Sequence, residues 1–372
     1  MGLAAENLLP ALPRPDGSLR AVGFLDQNQK LYSVSKLATL VNLLHREGIS
    51  ISRALRGDQL TEQDLHKGST RVSLNQLIRV CRSAVAFSHD PHFAFHAGQH
   101  VHLSTYGMYG FAILSSSSYR QALDFALKYF QLAVPLGPMS WRQEHGRDVW
   151  TFVPIDAVRS DPQLVRFVTE FELSILLSLH RDLLGRSFSP LEVQLPFPAP
   201  QDAPVYANMF GCAVVFGRAH AQLILNAKWH AVEPQFGNEL AHAELVALCD
   251  QLLEGFRLRM GIAGMVREVL LLHRMAPIRI SEVSKRLHMS ERTLRRKLRS
   301  EKTSFRSVLA ELRMRMAVKY LRETDLSILE IAHSLGFSEE GSFRQAFRRW
   351  SKVAPRTFRT HQARLKPPDP SV

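Results

Sequence analysis

Apolar positions recur at intervals of three and four along most of the chain, and each break in that rhythm marks the edge of an element. Leu37, Leu40, Val41 and Leu44 share one face of a helix that Ser33 or Ser35 can cap and Gly48 can stop. A short helix follows over 51–56, and Thr61-Glu62-Gln63-Asp64 opens a further element. Residues 73–87 repeat the helical spacing on Leu74, Leu77, Ile78, Cys81 and Val85, until His89-Asp90-Pro91 ends it. The pattern then predicts a short helix over 93–98, an apolar stretch punctuated by Gly107 and Gly110, and a helix over 119–130. Strand-like runs come next, over 139–144, 149–154, 191–195, 214–216 and 222–225. Their turns carry His145-Gly146, Pro196, Pro198, Pro200 and Gly217, and a long apolar helix over 162–184 divides them. Helices flanking a small sheet make an α+β domain of about 200 residues, bounded here at 31–235 after a loose proline-containing arm over 1–30.

Leu245, Leu248, Leu252 and Phe256 continue the three-and-four spacing in a helix over 238–260. Such a seam serves as core or as contact with a second copy. Its place in a linker over 236–262, where little core is at hand, favours the dimer contact. Beyond it, 263–372 reads as an all-α domain in which one unit occurs twice. Val283, Leu287, Met289 and Ser290 recur at constant offset as Ile331, Leu335, Phe337 and Ser338. Helical spacing then resumes, with Leu294 and Leu298 in one copy and Phe343 and Phe347 in the other. Short helix, tight turn and second helix make a helix-turn-helix, whose second helix fits the major groove of DNA. Ser290 and Ser338 are placed to accept from the first free amides of those second helices. Gly336 suits a left-handed turn without steric cost, and His288 takes the matching turn at some cost.

Charge decides what these helices face. The chain has 47 Lys and Arg against 34 Asp and Glu; residues 277–366 hold 22 and 9 of them, the remainder 25 of each. The whole net charge of +13 therefore sits on the tail. A merely solvated face does not need that asymmetry, whereas phosphate neutralisation does. Arg292, Arg295, Arg296, Lys297 and Arg299 crowd the first of the second helices, and Arg can hold guanine or phosphate through paired N–H groups. An apolar content of 45% and a charged content of 22% are ordinary for a globular chain of two domains. Cys81, Cys212 and Cys249 lie far apart without CxxC spacing, which excludes a disulfide scaffold and a thiolate zinc motif and fits a reducing cytoplasm. No apolar run approaches about 18 residues, so no membrane-spanning helix is expected.

On Ile331-Ala332, Leu335-Gly336-Phe337-Ser338, Phe343, Ala346-Phe347-Arg348-Arg349-Trp350 and Pro355-Arg356-Thr357-Phe358-Arg359, residues 280–359 resemble the DNA-binding domain of the AraC/XylS family of bacterial transcription regulators. The resemblance implies an all-α fold with two helix-turn-helix units. It places base-facing positions at Arg292, Arg295 and Arg296 in the first unit and at Glu340, Gly341, Arg344 and Gln345 in the second, with Thr293, Lys297 and Arg348 as further DNA contacts. A linking helix over 305–323 would be about 28 Å long, suited to recognition helices one DNA turn of about 34 Å apart. This chain departs from the family at Gln345, where Arg is common, and at Arg344, where a small residue is. It departs again at Lys302 and Lys352, where Gly usually ends a helix. Farther upstream, Tyr106-Gly107, Tyr109-Gly110, residues 115–123, Tyr129-Phe130, Phe210-Gly211 and Val215-Phe216-Gly217 resemble the sensing domain of the ornithine-utilisation subgroup. That domain type differs from the double-stranded β-barrel sensor of the arabinose regulator. The resemblance implies a cytoplasmic homodimer, more often an activator than a repressor. An effector would shift it between two domain arrangements, one of them suited to tandem half-sites and to RNA polymerase.

Tyr106, Tyr109, Phe111, Tyr129, Phe130 and Trp141 supply aromatic and polar surface for an effector pocket. His92, His96 and His100 recur at intervals of four, with His89 and His102 nearby. A continuous helix would align them for zinc or haem, so a metal or haem sensor is the alternative reading. Pro91 and Gly98 argue instead for a short helix with surface histidines, and no metal or other cofactor is expected. Glu170 and Glu172 fall on different helix faces and read as solvated. The chain has no GxSxG, HExxH or P-loop, and none of its Cys suits an alkyl-transfer site, so enzyme activity is not expected.

Overall fold

In the computed structural model of this chain, helix Pro162–Leu184 has 16 of its 23 residues buried, so it is covered on every side and not along one stripe only. Asp161 caps it by accepting from the Leu164 amide at 3.2 Å, Pro162 sits in the first turn where its missing N–H costs nothing, and Gly185 at φ 93° ends it. Helix Phe93–Gln99 packs along one side, so close that a Cβ on Gly98 would lie 2.6 Å from the Ser174 Cβ. Another side faces the main sheet. The structure describes residues 27–133, 136–272 and 278–363. Most of the arm expected over 1–30 lies outside them.

Strands β1 (Tyr32–Ser33) and β2 (Arg71–Val72) form a small antiparallel ladder that the hydrophobic pattern does not predict. The main sheet holds β3 (Met139–Glu144), β4 (Arg147–Phe152), β5 (Glu192–Gln194), β6 (Ala213–Val215) and β7 (Ala221–Asn226) in the order β3-β4-β7-β5-β6. Its neighbours are antiparallel except β5 and β6, which are parallel. Asp148, Trp150 and Phe152 of β4 alternate with Val149 and Thr151, and all five are buried. Helices Ser35–Arg46, Leu74–Phe87, Met108–Leu114 and Tyr119–Lys128 complete this α+β body, with Ser73 and Gln76 closing a capping box on the second of them. Helix Ala203–Phe210 is not expected from the sequence, because prolines punctuate its start. Pro204 lies in its first turn, where proline is tolerated, while Tyr206 and Phe210 turn inward.

The chain divides into two compact units, residues 1–256 and 257–372. The division falls inside the stretch assigned above to a linker, within the element Glu239–Leu272, whose helical backbone breaks at Gly261 (φ 71°, ψ 177°). Among the described residues the second unit has seven helical segments. They are the part of that element beyond Gly261, Ile280–Arg286, Glu291–Ser300, Phe305–Glu323, Ile328–Ser334, Glu340–Ser351 and Pro355–Ala363. No helix among the described residues is long and apolar enough to cross a membrane.

Candidate DNA-binding surface and sensing cavity

In the first helix-turn-helix, Ile280–Arg286 leads through His288 at φ 52° into Glu291–Ser300. Ser290 caps this second helix, accepting from the Thr293 amide at 3.2 Å. Burial of Leu294 and Leu298 fixes its rotation, and Arg292, Arg295, Arg296, Lys297 and Arg299 are left exposed on the other side. Thr293 differs from them. It is half-buried, and its hydroxyl lies 2.9 Å from that of Ser290, so part of its bonding capacity serves the cap. Arg295 reaches back to Glu291 at 3.5 Å, a loose exposed pair worth little.

The second unit repeats the plan with one shift. Ile328–Ser334 carries a capping box from Ser327 and Glu330, and Gly336 makes the turn at φ 74°. The following helix starts at Glu340, one residue later than the repeat predicts, with Glu339 as its cap. Ser338 therefore stands before the cap and does not accept from the helix amides as expected. Burial of Phe343, Ala346 and Phe347 leaves Gly341, Arg344, Gln345 and Arg348 exposed. Glu340 is half-buried and forms an ion pair with Arg344 one turn on. The repeat gives no hint of Arg313. This residue of the linking helix donates to the Gly336 carbonyl at 3.0 Å and lies 4.6 Å over the Phe337 ring centroid, so it holds the second turn in place. Lys302 and Lys352 do end their helices with left-handed backbone, at φ 56° and 65°.

One further contact ties the first recognition helix to the start of its own unit. The Glu301 carboxylate, just past Glu291–Ser300, accepts from the Ile262 amide at 2.6 Å and the Ala263 amide at 3.0 Å. It thus caps the helical segment that begins after Gly261, with the charge sign that a helix N-terminus favours. A Cβ at residue 261 would lie 2.6 Å from Glu301 Oε1, and φ there is positive, so both space and backbone call for glycine.

In the first unit a cavity opens between helices Met108–Leu114, Tyr119–Lys128 and Pro162–Leu184 and the sheet. Of the six aromatic candidates, Tyr106, Tyr109 and Phe130 line it. Phe111, Tyr129 and Trp141 lie outside its lining. Phe111 is 45% exposed because it falls on the outer face of its helix, and Trp141 is buried in the sheet beneath the Arg120 guanidinium. The Tyr129 ring is buried, and its hydroxyl donates to Asp250 at 2.6 Å. Sequence reasoning missed Lys36, Tyr119, Trp150, Glu172 and His180, which supply the polar atoms of the wall.

Glu172 is not solvated, and neither is Glu170, because their helix is covered all round. Glu172 Oε1 accepts from Lys36 Nζ at 2.8 Å and from the Leu136 amide at 3.2 Å. Glu170 accepts from Arg166 and from the Tyr206 hydroxyl. Charged residues inside an apolar run were the available signal, since such a run rarely spares room for solvated carboxylates. Burial lowers the His180 pKa to about 4, so its ring is neutral near pH 7. His180 Nδ1 lies 2.7 Å from the Leu176 carbonyl and must carry the proton, which leaves Nε2 to accept from the Tyr119 hydroxyl at 3.0 Å. Burial also raises the Tyr106, Tyr109 and Tyr119 hydroxyl pKa values, which keeps those groups protonated.

The candidate metal ligands do not converge. His92 pairs with Asp202 at 3.3 Å, His96 with Asp90 at 2.5 Å, and His100 Nδ1 meets the carbonyl of His96 at 2.9 Å. Among the described residues no group of His, Cys, Asp and Glu is arranged to hold a metal ion. The dimer seam divides similarly. Leu248 and Leu252 are exposed and Leu245 half-buried, but Phe256 is 2% exposed and packs against Tyr32 at 5.5 Å, so it belongs to the core of the first unit.

Known proteins resemble two separate stretches of the chain. A family model described as the arabinose-binding domain of the AraC transcription regulator, N-terminal, matches residues 48–233, and one described as a helix-turn-helix domain matches 283–361. The ornithine utilization regulator of Pseudomonas aeruginosa is 28% identical over 337 residues, covering 90% of this chain and 98% of that one. An uncharacterized HTH-type transcriptional regulator of Mycobacterium tuberculosis is 27% identical over 330 residues, covering 86% and 93%. The crystal structure of the transcriptional regulator CdpR from Pseudomonas aeruginosa overlaps 88% of this chain and 98% of its own at 24% identity, with a TM-score of 0.47. The matched relatives are regulators, and the chain belongs with them to the AraC family of DNA-binding transcription regulators.

Proposed function

We propose that this regulator is a dimeric, effector-controlled transcription activator of the cytoplasm. In this reading the cavity of the first unit takes a small molecule, and its occupancy changes how the second unit engages promoter DNA and RNA polymerase. One observation carries it: the unit with the cavity, residues 1–256, is nearly neutral, with 21 Lys and Arg against 23 Asp and Glu, while the unit with two exposed recognition helices, residues 257–372, holds 26 against 11. Arg292, Arg295, Arg296 and Lys297 take the base-reading and phosphate roles in the first recognition helix, and Gly341, Arg344, Gln345 and Arg348 those in the second. Thr293 and Glu340 serve chiefly to hold their neighbours. Leu248 and Leu252, at 42% and 39% exposure, offer the dimer contact. The name of one relative, the urease operon transcriptional activator of Escherichia coli, supports activation over repression; it is 34% identical over 90 residues.

The test uses the full chain and a fragment covering 257–372 on duplex promoter DNA. Both should bind, with an affinity that falls steeply and linearly in log salt as counterions are released. If neither binds at low salt, the proposed role fails. If binding never responds to a molecule that raises the melting temperature of the full chain, the effector part fails alone.

A further inference from the structure

The reading of the cavity as an effector site leaves open what chemistry it accepts. We propose that its occupant is an electrically neutral, largely hydrocarbon molecule bearing one hydroxyl, primary amide or similar group that both gives and takes a hydrogen bond. Lys36 and Glu172 are the charged residues on the wall, and they neutralise each other at 2.8 Å. The Leu136 amide supports the carboxylate further. A ligand carboxylate or ammonium would either add an uncompensated charge to a desolvated space or have to break that pair. Each alternative is costly in a low-dielectric wall.

Much of the remaining lining is hydrocarbon, including Leu103, Ile113, Leu123, Ile175 and Leu179. Against it stand two polar positions with bonding capacity to spare. The Tyr119 hydroxyl spends its proton on His180 Nε2, so its oxygen still accepts. Trp150, 6% exposed, turns its indole N–H toward that hydroxyl, but the contact is too poorly aligned for a full hydrogen bond, so the buried Nε1 is only weakly partnered. A buried N–H without a full partner is costly, and a ligand oxygen beside it would remove that cost. One acceptor beside one donor matches an alcohol or an amide. The Tyr106 hydroxyl, for which no hydrogen bond forms among the described residues, adds a third polar contact on the wall. Ornithine, charged at both amines and at its carboxylate, is the wrong chemistry for this space, although a relative bears its name.

The experiment titrates full-length protein with two matched series, octanol, octanoate and octylammonium, and phenethyl alcohol, phenylacetate and phenethylammonium, with ornithine alongside. Tryptophan fluorescence and the thermal midpoint report binding. In at least one series the alcohol should bind at least about tenfold more tightly than either charged congener. Trp150→Phe, which keeps an aromatic ring but removes the N–H, should weaken the alcohol by about tenfold while leaving the parent hydrocarbon, octane or ethylbenzene, unchanged. A purely structural effect would weaken both. Binding of a charged congener or ornithine as tightly as the alcohols overturns the proposed class and leaves the cavity as an effector site. Absence of binding by every probe overturns the effector site itself, and the ligand class with it.

Discussion

Arg295 and Arg344 stand one on each recognition helix, yet they carry their charge differently. The Arg344 guanidinium is paired with Glu340 on its own helix, whereas Arg295 holds Glu291 only loosely and Arg296 is exposed beside it. Arg295→Ala or Arg296→Ala should therefore weaken binding to the specific promoter by about 1–3 kcal/mol, and Arg344→Ala by less. Electrophoretic mobility shifts with random competitor DNA make the check; an equal loss on random DNA would assign both residues to phosphate. Lys302 and Lys352 present a different kind of residue effect. Each pays for left-handed backbone that glycine adopts freely, at φ 56° and 65°. Lys302→Gly and Lys352→Gly should each stabilise the second unit by up to about 1 kcal/mol, read as a higher urea midpoint.

At the scale of elements, the Glu301 carboxylate joins the end of one helix to the beginning of another. Glu301→Ala leaves the Ile262 and Ala263 amides without that acceptor and should cost about 1 kcal/mol. Hydrogen exchange at those two amides, faster in the variant, is the measurement. Nothing in the sequence announced this contact, since a capping residue 39 positions away leaves no local pattern. What was legible obeyed local rules. Helix Pro162–Leu184 and strand β3 follow from periodicity and caps, helix Phe305–Glu323 from the family resemblance, and the repeat placed both helix-turn-helix units because each buries its own apolar stripe. The cavity wall was half legible. Tyr106 and Tyr109 lay in an aromatic cluster that drew notice, but Lys36, Glu172 and His180 meet across long sequence separations and looked like ordinary polar residues. Ser338 failed as a cap because an offset fixed by buried apolar residues does not fix where a helix begins.

For the molecule as a whole, the buried polar groups make the stability of the first unit depend on pH. His180 has a pKa of about 4 in the fold against 6.5 for a free imidazole, so between those values the unfolded chain binds more protons. The contribution is fully present above about pH 6.5 and is lost as pH falls toward 4, amounting to about 3 kcal/mol. Urea midpoints across that window should show it, and His180→Phe should flatten the slope relative to the parent. The glycine at 261 has a bearing on how such regulators are recombined. Because the carboxylate at 301 grips the two amides that follow Gly261, the basic tail starts, mechanically, before its first obvious helix. A chimera that grafts this tail onto a foreign sensor should be spliced upstream of Gly261; a junction beyond Ala263 would hand the graft an empty clasp.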